Sequence, residues 1–247
     1  MRRIFISDLL KEKLTITGPD AHHLAHVMRG RVGDHIVVAD GEGKVGEYVM
    51  TAFTDSSVSL ELVEYLTENT ESPVKITLAQ CLPKGDKLEL ITQKATELGV
   101  NSIVPLTSDN CVVRYDAKKA QAKQEKWQKI ANEAGKQCGR SLLPEVEPVT
   151  PLKNWLKAMA HEDMALCMCY ENEEQIGIKE FLTNCRHKRI AVVIGPEGGF
   201  SLDEVAYAQS LGITPVSLGN RILRAETAAI AAVTIIQYEA GDLGGRI

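Results

Sequence analysis

Residues 189–204 of the chain are RIAVVIGPEGGFSLDE, and this stretch decides the fold class. Its first six residues are almost entirely apolar, as in strands that are buried on both faces of a parallel sheet. The next six include three glycines, and Ser201 and Glu204 have the spacing of a capping box at the start of a helix. A buried strand that turns directly into a capped helix predicts an α/β domain with a mainly parallel sheet.

The rest of the chain after residue 73 repeats this alternation of strand and helix patterns. Near residue 86, Asp86-x-x-Glu89 resembles a second capping box, and Gly99 is the expected end of that helix. We expect further helices at 117–138, 151–160, 202–211 and 226–239, and strands at 74–79, 103–104, 164–169, 190–194 and 213–218.

The first 72 residues have a different pattern, with short β-branched runs separated by turn residues. Strands are expected within 36–38, 45–50 and 58–63, which is typical of a small barrel or sandwich. A short helix is expected at 20–28, with Asp20 as its N-cap. The polar segment 68–73 ends in proline and has no periodicity. We therefore predict two domains, 1–72 and 73–247.

Composition excludes several classes of protein. Of the 247 residues, 44% are hydrophobic and 25% are charged, which is the usual balance of a globular chain. No uncharged run approaches the roughly 18–20 residues that a membrane span needs. The six cysteines form no CxxC pair, so a disulfide framework is not expected. We expect a cytoplasmic protein without a membrane segment.

The charge is unevenly distributed along the chain. The net charge is −5, but residues 1–31 carry six Lys/Arg against three Asp/Glu, and residues 73–140 carry twelve against seven. Two basic blocks in an acidic chain favour a localised face for an anionic partner such as nucleic acid. For the block at 118–136, a solvated helix surface remains the alternative.

The glycine-rich loop at 195–200 is the first candidate ligand site. Ligands of open α/β sheets bind at the carboxyl ends of strands, where a helix N-terminus offers free N–H groups. The alternative is a tight turn that needs glycine only for its backbone angles. The loop matches neither GxGxxG nor GxxxxGK[ST]. No metal site is expected, because HHLAH at 22–26 lacks the glutamate of HExxH, and Cys167 and Cys169 suit buried thiols.

The second candidate is the loop at 219–227, GNRILRAET, which places two arginines just before a mostly uncharged helix. Ile222 and Leu223 are unusual in a surface loop. They either seal the domain core or line a pocket.

These two loops carry a resemblance to a known family. IGPEGGFS at 194–201 and LGNRILRAETA at 218–228 resemble the signature segments of the ribosomal RNA small subunit methyltransferase E family, in the SPOUT superfamily. The similarity continues in HHLAHVMRGRVGD at 22–34, QKATELGV at 93–100 and WQKIANEAGKQCGRSLLPEV at 127–146. It therefore covers nearly the whole chain.

The resemblance implies a fold and a cofactor. The fold is a small PUA-like β-barrel followed by an α/β SPOUT domain with a mainly parallel sheet and a C-terminal trefoil knot, and two subunits pair as a homodimer. The cofactor is S-adenosylmethionine (SAM), with S-adenosylhomocysteine as product. The residues implied in binding it are Ile194, Gly195, Pro196, Glu197, Gly198, Gly199, Phe200, Leu218, Gly219, Ile222, Leu223 and Arg224.

The resemblance also implies methylation of N3 of a uridine in the decoding region of 16S rRNA, in the assembled or assembling small ribosomal subunit. A cation near the base would stabilise the uracil anion. The candidates are Arg224 and then Arg221, while Glu226 or water takes the proton. A structural ion pair of Arg224 with Glu226 or with the partner chain is the alternative. A non-catalytic RNA-binding assembly factor and a nucleotide-binding enzyme are the competing functions.

RNA affinity is expected mainly from the first domain. His22, His26 and Arg29 have the spacing of one helix face. The full set of expected RNA-binding residues is Arg2, Arg3, His22, His26, Arg29, Arg31 and Arg140. The chain departs from the family at Asp109-Asn110, where a Glu-Arg pair is usual, and at Ala225, where threonine is usual.

Overall fold

The computed structural model describes residues 3–6, 9–67 and 70–245. The chain forms two compact units, Met1–Glu71 with Gly135–Leu143, and Ser72–Ala134 with Pro144–Ile247. The predicted boundary after residue 72 lies one residue from the first junction. The prediction differs in Gly135–Leu143, here called the return segment, which it assigned to the second domain.

The first unit is built on a five-stranded sheet with the strand order β1-β3-β4-β5-β2. β1 and β3 pair in parallel, and the other neighbours are antiparallel. The strands are β1 (Arg3–Phe5), β2 (Lys13–Thr17), β3 (His35–Ala39), β4 (Val45–Phe53) and β5 (Ser57–Leu66). The three predicted strands are confirmed as β3, β4 and β5, whereas the shorter β1 and β2 were not predicted.

A short helix, α1 (Gly18–His22), continues into a π-helical turn (His23–Val27). The predicted helix is confirmed, but Asp20 is not its N-cap. Thr17 is the N-cap and Pro19 lies in the first turn, where the missing N–H of proline costs nothing. The buried side chain of Leu24 packs this element onto the core that contains Ile36, Tyr48 and Met50.

Glu71 is one of the residues of the first unit that hold the return segment. The Glu71 carboxylate accepts hydrogen bonds from the backbone N–H of Ser141 at 2.9 Å and of Leu142 at 3.0 Å. It also pairs with the guanidinium of Arg140, and Leu143 packs on the apolar cluster of Phe5 and its neighbours. The Glu71 contacts connect residues about 70 positions apart, so no local pattern could have predicted them.

The second unit contains a seven-stranded sheet in which every pair is parallel. The order is β12-β10-β11-β6-β7-β8, and β9 also pairs with β7. The strands are β6 (Lys75–Cys81), β7 (Ser102–Thr107), β8 (Glu145–Val146), β9 (Thr150–Pro151), β10 (Ala165–Cys169), β11 (Arg189–Ile194) and β12 (Thr214–Val216). The predicted parallel sheet is confirmed.

The helices of the second unit follow the predicted order, with α5 as the one addition. They are α2 (Lys87–Glu97), α3 (Ala117–Cys138), α4 (Leu152–Met159), α5 (Ile178–Thr183), α6 (Leu202–Ser210) and α7 (Ala225–Ala240). The last turn of α3 belongs to the return segment. No helix among the described residues is long and apolar enough to span a membrane.

The two predicted capping boxes have different outcomes. At α6 the box is complete, because Ser201 Oγ accepts from the Glu204 N–H and Glu204 accepts from the Ser201 N–H. At α2 the prediction is wrong, since Asp86 makes no side-chain cap. Glu89, its predicted partner, instead binds Lys126 on α3. A contact made in the folded unit thus replaces the local one.

Candidate functional site

Three parallel strands of the second unit end side by side. Cys169 at the end of β10 is in register with Ile194 at the end of β11 and with Val216 at the end of β12. The loops that follow these strands therefore emerge at one edge of the sheet, where α/β proteins bind ligands.

A cavity of about 690 Å³ lies among these three loops. Its volume is within the range of about 300–1,000 Å³ typical of small-molecule sites. The residues predicted to bind a cofactor that line it are Ile194, Gly195, Pro196, Glu197, Gly199, Leu218, Gly219, Ile222, Leu223 and Arg224. The structure thus brings both sequence motifs together around one space.

Two of the predicted cofactor residues do not line the cavity. Phe200 is buried, and its ring lies 3.3 Å from the position that a Cβ on Gly195 would take. Gly198 packs on Asn110, and a Cβ at residue 198 would lie 3.2 Å from the Asn110 Cβ. Both residues therefore support the conformation of the glycine-rich loop without lining the cavity.

The loop that follows β10 was not predicted from the sequence to be part of the site. It contributes Tyr170, Glu171, Glu173 and Glu174 to the cavity, next to Cys169 at the end of β10. Gly199 has φ of +64°, a left-handed conformation that favours glycine, and a Cβ there would displace the flexible end of the Glu171 side chain. The position of this loop in the sequence could have indicated its role. A strand was predicted at 164–169, and in a parallel sheet its carboxyl end lies at the same edge as that of β11.

The departure at Asp109-Asn110 has a clear structural role. The Asn110 side-chain amide donates to the carbonyl oxygens of Gly198 at 3.0 Å and Gly199 at 3.3 Å. The Asp109 carboxylate accepts from Ser201 Oγ at 2.8 Å. These two residues, which follow Ser108 after β7, hold the glycine-rich loop from its outer side.

Lys87, which no sequence motif indicated, contacts the same loop. Lys87 Nζ, in the first turn of α2, is 2.9 Å from Glu197 Oε1 and 3.2 Å from Glu226 Oε2. The Lys84 N–H also donates to Glu197, at 3.1 Å. Burial raises the pKa of Glu197, but the hydrogen bonds from Lys87 and from the backbone N–H groups of Glu197 and Lys84, together with the Lys87 charge, outweigh burial, so this pKa lies below its usual range.

The two candidate catalytic arginines are exposed and line the cavity. Arg224 is also the N-cap residue of α7, through its backbone. Within the described residues neither guanidinium has a hydrogen bond or ion pair. Glu226 faces Lys87 rather than Arg224, so the intramolecular ion pair considered for Arg224 is not formed.

The predicted RNA-binding residues fall into two groups. His22, His26, Arg29 and Arg31 are exposed, and the two histidine rings lie 4.6 Å apart. By contrast, the Arg3 guanidinium donates to the Gly139 and Arg140 carbonyls, and Arg140 is 4% exposed and bound to Glu71. Arg140 therefore stabilises the return segment and is not available to bind an RNA phosphate. Arg2 lies outside the described residues.

Comparison with known proteins agrees with this architecture. Residues 70–237 match the family described as RNA methyltransferase domain, and residues 16–63 match the RNA methyltransferase PUA domain. Ribosomal RNA small subunit methyltransferase E of Bacillus subtilis is 36% identical over 255 residues, which covers 99% of each chain. The chain belongs to the ribosomal RNA small subunit methyltransferase E family. The resemblance found in the sequence is thereby confirmed.

Two solved structures extend the comparison. The methyltransferase E of Neisseria gonorrhoeae, bound to S-adenosyl methionine, has a TM-score of 0.86 and 32% identity, covering 98% of this chain and 99% of that one. A methyltransferase of Legionella pneumophila, in complex with the bound cofactor SAM, has a TM-score of 0.83 and 32% identity, covering 98% of both chains. The α/β fold with a PUA-like N-terminal domain is thus the methyltransferase E fold.

Among the described residues, no group of three or more His, Cys, Asp or Glu side chains is arranged to hold a metal ion.

Proposed function

We propose that this chain transfers a methyl group from SAM to N3 of a uridine in the decoding region of 16S rRNA, in the assembled or assembling small ribosomal subunit. The observation that carries the proposal is the cavity at the carboxyl ends of β10, β11 and β12, lined by both motif loops. Membership of the methyltransferase E family and the two SAM-bound relatives support it.

The residues present fit SAM. Ile194, Leu218 and Leu223 offer apolar contact for the adenine ring, and a Cβ on Gly219 would meet no other atom within 4 Å, so the cavity wall is open there. The carboxylates of Glu171 and Glu174 suit the cationic sulfonium and amino groups. When bound, SAM supplies an activated methyl group.

The arginines at the cavity are assigned to charge stabilisation. Uracil N3 must lose its proton for attack, and negative charge then spreads to the neighbouring carbonyl oxygens. An arginine placed beside those oxygens lowers the energy of the anion, and such preorganised donors are a major source of catalysis. Arg224 takes this role first and Arg221 second, because both line the cavity and have no ion pair within the described chain.

Glu226 has a different role from the one expected. Its Oε2 lies 3.2 Å from Lys87 Nζ, and Glu226 is not among the residues that line the cavity. We assign the proton of N3 to water, and Glu226 to holding the start of α7.

The first unit supplies RNA affinity in this proposal. His22, His26, Arg29 and Arg31 form its exposed basic surface, where phosphate contacts give affinity without reading sequence. Low aromatic content, 5% of the chain, argues against extensive base stacking.

The trefoil knot and the homodimer are also proposals, resting on the family resemblance. On α7, Val233 and Ile236 are buried within the unit, whereas Ile230 and Ile235 remain partly exposed. Light scattering at micromolar concentration tests the dimer, and a monomer contradicts it.

The test of the cofactor site is calorimetric titration of the full chain with SAM and, separately, with ATP. We expect binding of SAM only. Ala228 lines the cavity, so Ala228→Leu should weaken SAM binding at least about tenfold by filling it. Ala231→Leu, on the same helix but outside the cavity, is the matched control. ATP binding without SAM binding would favour a nucleotide-binding enzyme instead.

The test of the reaction is incubation of small-subunit particles with the protein and SAM, followed by nucleoside analysis. We expect 3-methyluridine, at a single position in the decoding region. Binding of the particle without any methylation would identify a non-catalytic assembly factor.

A further inference from the structure

We propose that Lys87 is a positioning residue for the cavity, holding the glycine-rich loop and the start of α7 at the separation that SAM requires. The inference rests on the proposed function, because it concerns the same cavity. Lys87 itself does not line the cavity.

The geometry places one ammonium between two segments of the cavity wall. Glu197 lies in the glycine-rich loop and lines the cavity, while Glu226 follows the lining residues Arg224 and Ala225. Lys87 Nζ is 2.9 Å from the first carboxylate and 3.2 Å from the second. Lys87 therefore bridges the glycine-rich loop and the start of α7, which are about 30 residues apart in the chain.

The two contacts of Lys87 differ in kind. The contact with Glu197 is a hydrogen-bonded ion pair, and the Lys84 N–H fixes the same carboxylate from the backbone. Glu226 Oε2 is within ion-pair distance but lies outside hydrogen-bond geometry, and it has no hydrogen bond to another described residue. Lys87 is thus the cation that compensates this buried oxygen.

Removal of the ammonium leaves two like charges facing each other. Both carboxylates lie within about 3.2 Å of one nitrogen, so their oxygens are no more than about 6 Å apart. Like charges at that separation repel, and the repulsion is stronger where water is partly excluded, as at Glu226, whose side chain is 16% exposed. We expect the glycine-rich loop and the start of α7 to move apart and the cavity to widen.

The chain offers a matched control on the same helix. Lys94 Nζ lies 2.9 Å from Glu97, and the exposed fractions of this pair, 39% and 29%, are close to the 31% and 28% of Lys87 and Glu197. The Lys94 pair lies within α2 and contacts neither cavity loop. Lys94→Met thus removes an ion pair of the same kind without touching the proposed positions.

The experiment compares wild type, Lys87→Met, Lys87→Arg and Lys94→Met as full chains, with SAM affinity from calorimetry and Tm from thermal melting. We expect Lys87→Met to raise the Kd for SAM about tenfold, Lys87→Arg to stay within about threefold of wild type, and Lys94→Met to leave the Kd unchanged. Because Lys87→Met leaves a partly buried carboxylate without its counter-charge, its Tm should lie below that of Lys94→Met, and Lys87→Arg should restore both the Tm and the Kd. In steady-state methylation, KM for SAM should rise in Lys87→Met more than kcat falls.

Two results would overturn the inference while the proposed function stands. One is SAM binding by Lys87→Met with the wild-type Kd. The other is a loss of affinity that accompanies a fall in Tm absent from Lys94→Met and that Lys87→Arg does not rescue, since that describes a residue needed only for folding. Wild-type protein that binds no SAM overturns both the proposed function and this inference.

Discussion

Arg140 and Glu71 form a buried ion pair, with 2.6 Å between Arg140 Nη2 and Glu71 Oε2 and side-chain exposures of 5% and 8%. Glu71 also accepts the backbone N–H groups of Ser141 and Leu142, so one carboxylate fixes three consecutive residues of the return segment. Removing one partner of such a pair leaves an uncompensated buried charge, which costs more than the pair itself contributes.

We expect Glu71→Gln to lower the free energy of unfolding by roughly 3 kcal/mol, because the buried Arg140 guanidinium then loses its ion pair with Glu71. Urea denaturation followed by circular dichroism measures the change. Lys13→Met, which removes an exposed pair with Glu61, is the control and should leave the midpoint unchanged. Equal midpoints for Glu71→Gln and the control would contradict the prediction.

The same carboxylate should make stability depend on acid pH. Burial raises the pKa of Glu71, but its hydrogen bond and charge interaction with Arg140 outweigh this, so the pKa is lowered from its ordinary value of 4.5. A depressed carboxyl pKa adds stability above the unfolded-state value, and that stability is lost as pH falls through the folded-state value. We expect stability to fall below about pH 4.5 in wild type and less steeply in Glu71→Gln, measured by denaturation at several pH values.

Asn110→Ala should weaken SAM binding about fivefold. The lost amide no longer holds the Gly198 and Gly199 carbonyls, and a hydrogen bond of this kind contributes about 1 kcal/mol. Calorimetry measures the effect. Asn184→Ala is the matched control, since Asn184 is also exposed and donates to a backbone carbonyl, that of Glu180. The same Kd in both variants would show that the loop holds its shape without Asn110.

Arg224→Gln should slow methylation at least about 100-fold, because one preorganised donor to a developing anion has an effect of that size. Single-turnover methylation of small-subunit particles at saturating SAM isolates this step. Arg224→Lys keeps a charge but not the planar donors, so an intermediate rate is expected. A wild-type rate in Arg224→Gln would transfer the role to Arg221.

Arg29→Ala combined with Arg31→Ala should weaken binding to small-subunit particles. With each phosphate contact that is lost, binding releases fewer counterions. The slope of log affinity against log salt concentration should therefore fall in magnitude by about 1 to 2. Filter binding at several salt concentrations provides the slope. Arg186→Ala, an exposed arginine of the second unit, should leave it unchanged. An unaltered slope in the double variant would remove the first unit's basic surface from RNA binding.

The sequence predicted elements whose cause is local. Helix α3 was expected at 117–138 and spans Ala117–Cys138, and the Ser201–Glu204 capping box is present as expected. Both depend on side chains a few positions apart. The meeting of the two motif loops was also predictable, because the carboxyl ends of parallel strands share one edge.

Features that depend on distant contacts were missed or misassigned. Glu89 has the spacing of a cap, but Lys126, 37 residues away, binds it instead. Lys87 resembles any surface lysine until Glu197 and Glu226 are brought to it, and Arg140 resembles an RNA ligand until Glu71 encloses it. A charged residue's role depends on its partner, which sequence spacing does not specify.

The return segment has a consequence for the order in which the protein matures. Residues up to 71 leave the ribosome before Gly135–Leu143, which the first unit also needs, so this unit is complete only after more than a third of the second unit has been synthesised. Domains usually fold as units during synthesis, beginning with the N-terminal one. Here folding of the nascent N-terminal domain cannot be completed until more than sixty further residues have been synthesised. Until then the surface around Glu71 and Phe5, which the return segment covers, stays exposed. The same interruption means that cleaving the chain at residue 72 separates a domain from part of itself.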